Sequence, residues 1–150
     1  MPMRNDIVDA TFPRDAAWFT AEVEPDDVDR MFMIRVPDFN TMSKGSWQIR
    51  PAAEYFAETF STGMYDPQYP YNADKMRKLL AWSDRQASRA ILVSDTGQGP
   101  TTILDGNHRL VLLQHENALV GASVYIGLHA AMRGYNRAMP SFAAFATARP

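Results

Sequence analysis

The residues that decide the fold are Ala90-Ile91-Leu92-Val93-Ser94 and, after a short interval, Thr101-Thr102-Ile103-Leu104-Asp105-Gly106-Asn107-His108-Arg109-Leu110. Each begins as a brief apolar, β-branched run of strand length. Between them lies Asp95-Thr96-Gly97-Gln98-Gly99-Pro100, dense in turn formers, so the pair reads as a hairpin. The second run then passes through Gly106 directly into a helical stretch at 110–117.

Outward from this hairpin the pattern alternates. Downstream, 122–127 (Ala-Ser-Val-Tyr-Ile-Gly) reads as a strand, and 129–139 as a helix ended by Pro140. Upstream, Asn72 can cap a helix running to Trp82 with Met76, Leu79 and Leu80 as its core stripe. Residues 64–72 before it form a Tyr- and Pro-containing loop, since each Pro disfavours helix for itself and its predecessor. A helix is expected over 51–62, where Ala52, Ala53, Phe56, Ala57 and Phe60 recur at three and four residues between Pro51 and Gly63. The run 31–36 reads as a strand closed by a turn at Pro37-Asp38. The first 30 residues show no sustained period, and the acidic cluster from Glu22 to Asp29 reads as an exposed part of an irregular lead-in.

This order implies an α+β fold, a small mixed sheet with helices packed on it, in one domain covering 1–150. Within it, 1–63 reads as an N-terminal extension or extra layer, 64–128 as the central module and 129–150 as a C-terminal helix and tail. With 46% apolar residues, a chain of 150 can bury roughly two-thirds of its unfolded surface. Lys and Arg number 15 against 17 Asp and Glu, so no global positive field draws the chain to nucleic acid or anionic lipid. The absence of cysteine excludes disulfides, thiolate metal sites and cysteine chemistry. Neither a signal-peptide apolar region nor a membrane-spanning run is visible, which makes the cytoplasm the expected location.

The chemistry concentrates in residues 105–109. Gly106 can take positive φ and admit a ligand close to the backbone. The N–H groups at the following helix start, with the positive end of its dipole, offer a site for phosphate or carboxylate. Arg109 can grip the same anion through two parallel hydrogen bonds, and His108 can donate a proton or a hydrogen bond. Asp105 can cap the helix, orient His108, hold a divalent cation or act as a base. Gly106, Asn107 and Arg109 are therefore the candidate ligand-binding residues, and Asp105 and His108 the candidate catalytic ones. A plain strand-to-helix turn accounts for the same residues, with Asp105 or Asn107 as N-cap, His108 half-buried and Arg109 solvated.

Residues 66–127, roughly two-fifths of the chain, resemble the ParB/sulfiredoxin fold family. The resemblance rests on a Pro-containing loop, a helix, the Ile91-Leu92-Val93 strand, a Gly turn, a second strand, the Asp-Gly-x-His-Arg turn at 105–109, a helix and a closing strand. It implies that Gly106 and Arg109 hold the phosphates of a nucleotide, with Asp105 and His108 beside them. A nucleoside triphosphate with Mg²⁺ is the implied cofactor, as in the CTP-binding partition proteins, the ATP-using sulfiredoxins and the free-serine kinases of that family. Asn107 stands where sulfiredoxins carry their cysteine, so sulfinic-acid reduction is not expected. Only residues 128–150 follow the module, which argues against the DNA-binding helical domain of the partition proteins. The kinases also use an upstream acidic residue, for which Asp66 and Asp74 are the nearest candidates.

Other sites weigh less. His108 and His115 sit seven residues apart, roughly 10 Å along a helix axis, too far to share one metal. No metal ligand is assigned. Tyr65, Tyr69 and Tyr71 can stack a base or pack their loop, Trp47 with Arg50 raises the same question, and Arg133 with Arg137 can reach a phosphate or line a solvated face. The expected function is thus binding of a phosphate-bearing ligand, a nucleotide, at 105–109, with phosphoryl transfer or phosphodiester hydrolysis as the enzymatic version. Two further readings fit the same residues. One is a non-catalytic ligand-binding or protein-interaction module, and the other is an enzyme using Asp105 and His108 as an acid–base pair on a non-nucleotide metabolite.

Overall fold

Strand β3 (Ile91–Ser94) is buried at all four positions, which explains why it reads as a continuous apolar run and not as an alternation. It pairs antiparallel with β4 (Thr101–Asp105), forming the expected hairpin. The computed structural model describes residues 13–34, 37–62, 70–81, 90–95 and 100–131. Around the hairpin it builds one five-stranded sheet in the order β1-β5-β3-β4-β2, where β1 is Ala17–Glu22, β2 is Met31–Met33 and β5 is Ser123–Leu128. The pairs β1/β5 and β3/β4 are antiparallel, while β3/β5 and β4/β2 are parallel. The sheet is therefore mixed, with helices between its strands in sequence, as the α+β reading requires.

Four helices accompany it among the described residues: α1 (Pro37–Met42), α2 (Ile49–Thr62), α3 (Pro70–Ala81) and α4 (Asn107–His115). Helix α4 carries four consecutive buried residues, Leu110 to Leu113, and packs against both α2 and α3. The core joins Phe56 of α2 and Leu79 of α3 to Met33, Leu92, Ile103 and Val124 of the sheet. Side chains of this kind contribute about 1.5–3 kcal/mol each when fully buried, which is the main force holding helices to sheet.

Several boundaries differ from the sequence reading. Within the expected irregular lead-in of 30 residues, the part described from residue 13 onward supplies edge strand β1 and a 3-10 turn (Pro25–Arg30). That turn begins with a capping box between Glu24 and Asp27 and has Pro25 in its first turn, so part of the acidic run serves as a helix cap. Asp29 of the same run accepts a hydrogen bond from Arg50 Nε at 2.9 Å, which ties the turn to α2 and raises the Arg50 pKa. Pro37 opens α1 where a turn was expected, because proline is pre-set for the first helical turn. Helices α3 and α4 begin at Pro70 and Asn107, ahead of the expected 72 and 110. The expected helix at 129–139 falls outside the described residues beyond Ala131.

The outer edge of β2 is closed by residues 47–48. Trp47 adopts φ +64°, a left-handed conformation that costs an ordinary L-residue roughly 1–2 kcal/mol. Two hydrogen bonds hold it there: its N–H donates to Ser43 Oγ at 2.8 Å, and its carbonyl accepts from Met33 N–H at 2.6 Å. Gln48 adds an antiparallel bridge to Phe32. No helix among the described residues is long and apolar enough to cross a membrane.

In the middle of the sheet, the hydroxyls of Thr101 and Thr102 are buried without a hydrogen-bond partner. A buried hydroxyl that loses water and gains nothing is a net cost. Replacing Thr102 by the near-isosteric valine is therefore expected to leave stability unchanged or raise it by up to about 1 kcal/mol, measured as the shift of the urea midpoint.

Candidate anion-binding site

The site begins with an irregularity in the hairpin. Leu92 pairs with Ile103 but Ile91 pairs with Asp105, so β4 carries one extra residue immediately before the turn. Such a bulge bends the strand and re-aims the side chains that follow it. Gly106 then takes φ +90° and ψ 18° and becomes the N-cap of α4, with Leu110 N–H closing the first turn on its carbonyl at 2.9 Å. Two constraints act on this position. A Cβ at Gly106 would lie 2.9 Å from Ala90 Cβ and 3.0 Å from Ala90 Cα, and its left-handed φ is unfavourable for any side chain. Only glycine meets both.

Because the N-cap is glycine, no cap side chain covers the first-turn amides. Arg109 folds back toward Gly106. Its Nη1 lies 3.6 Å from the position a Gly106 Cβ would occupy, so the guanidinium sits over the glycine. Positive charge and the helix start thus meet at one point.

Two of the neighbouring residues are committed to the scaffold. Asn107, expected to contact the ligand, is 6% exposed, and its amide is occupied elsewhere. Its Oδ1 accepts from Ile34 N–H and its Nδ2 donates to the Ile103 carbonyl, both at 3.3 Å, so the side chain stitches the end of β2 to β4. His108 is 7% exposed, with its ring edge-on to Phe39 of α1 at 5.0 Å between centroids and 62° between planes. Asp105 is half-buried at the strand end. No hydrogen bond or ion pair joins Asp105 to His108.

The remaining candidates are dispersed. Asp74 is exposed on α3 and accepts from Arg77 Nη1 at 2.9 Å, an ordinary i,i+3 pair. His115 lies on the last turn of α4 with its ring edge-on to Phe56 at 4.8 Å. Asp66, Tyr65, Tyr69, Arg133 and Arg137 lie outside the described residues, and Tyr71 falls in the first turn of α3. Among the described residues no group of three His, Asp or Glu side chains could hold a metal ion. A phosphate-bound Mg²⁺ needs only one or two protein carboxylates, and Asp105 is the one carboxylate that the 105–109 turn supplies.

Sequence reasoning missed the partners that build the turn. Ala90, Ile34 and Phe39 contact Gly106, Asn107 and His108 across separations that carry no local signal. Compared with known proteins, the chain matches no family, no curated protein and no solved structure.

The two constraints on Gly106 can be separated by experiment. Gly121 has nearly the same φ, +88°, but open space where its Cβ would stand. Gly121→Ala is expected to cost about 1–2 kcal/mol from backbone strain alone. Gly106→Ala adds the collision with Ala90 and is expected to cost about 2–4 kcal/mol, both measured by chemical denaturation. Asn107→Ala takes a hydrogen-bond partner from two buried main-chain groups, Ile34 N–H and the Ile103 carbonyl, and is expected to cost about 2–4 kcal/mol by the same measurement.

Proposed function

We propose that this protein binds a phosphate-bearing ligand, a nucleotide, at the turn formed by residues 105–109. The observation that carries the reading is the meeting of three features at one place: Gly106 in the left-handed conformation, the start of α4 with no cap side chain, and the Arg109 guanidinium folded over that glycine. Each favours an anion, and together they fit a tetrahedral group approached by backbone amides on one side and a forked cation on the other. The resemblance of residues 66–127 to the ParB/sulfiredoxin fold family supports a nucleotide as the source of that group.

As an enzyme, the site suits phosphoryl transfer or phosphodiester hydrolysis. Arg109 and the α4 amides would stabilise charge on the equatorial oxygens. Asp105 is the better placed of the two candidates for proton handling, because His108 is enclosed against Phe39. A divalent ion bound through the ligand phosphates would take Asp105 as its protein ligand and supply charge neutralisation there. A second reading, a binding module without chemistry, is favoured by one specific observation. The side chains of Asn107 and His108 are committed to packing, and Asp105 is not paired with His108.

Thermal-shift titration with nucleoside triphosphates and with inorganic phosphate, with and without Mg²⁺, tests the binding. A nucleotide at a hundred times its Kd stabilises by about 2.7 kcal/mol, which raises Tm by roughly 5–10 °C for a chain of this size. Arg109→Ala is expected to remove the shift, and a parent protein that no nucleotide stabilises would sink the proposal. Asp105→Asn separates the two versions. If the site is catalytic, this variant keeps the nucleotide shift and loses at least about a hundredfold in turnover of the bound nucleotide. In the binding module the parent itself shows no turnover.

A further inference from the structure

We draw no further inference here: the strongest candidate, the cavity of about 120 Å³ between the 3-10 turn and the sheet face that carries Ala21, Leu92, Thr101, Val124 and Ile126, carries nothing because the Thr101 hydroxyl has no accessible surface through which to meet a ligand and nothing in the structure shows what covers the apolar walls.

Discussion

The close approach of Gly106 to Ala90 is the constraint on which the rest of the structure turns. Ala90 immediately precedes β3 and Gly106 immediately follows β4, so their contact closes the open end of the hairpin at a distance no Cβ would tolerate. The bulge before the turn, the left-handed glycine and the abrupt start of α4 are one device. It lets a buried strand feed a buried helix without an intervening loop. Leu110 to Leu113 consequently land in the core against α2 and α3.

The same device leaves the helix start without a cap side chain, and this is where architecture passes into chemistry. A glycine N-cap is only slightly inferior to a serine or aspartate in stability, and it brings no side-chain oxygen to the first-turn amides. Arg109, one turn into the helix, returns its guanidinium to that point. Asn107 and His108 face the other way, toward Ile34 and Phe39, and anchor the site to β2 and α1. A ligand at the turn would therefore touch a residue set interleaved in sequence with the residues that hold the turn in place.

Much of the architecture was legible because it is local. The hairpin, the helix at 51–62 and the strand before the final described residues follow from apolar runs punctuated by Gly, Pro and Asp. Strand β1 was illegible for the opposite reason. It is an edge strand with both faces partly exposed, so it lacks the clean alternation of a half-buried strand, and its conformation comes from pairing with β5 more than a hundred residues away. The division of labour within 105–109 was equally hidden. A histidine or asparagine beside an arginine carries the same information whether it faces ligand or core.

Sequence alone determined the class of fold, the absence of cysteine chemistry and the one turn where Gly106, Asp105 and Arg109 could gather, because composition, apolar period and turn chemistry act over a few residues. Tertiary structure decided which side chains of that turn are committed to the scaffold, and that β1 and β2 form the two edges of the sheet. Those outcomes depend on contacts between residues distant in the chain, Ala90 with Gly106, Ile34 with Asn107 and Phe39 with His108. Burial and hydrogen bonding are properties of such pairs, and no local pattern encodes them.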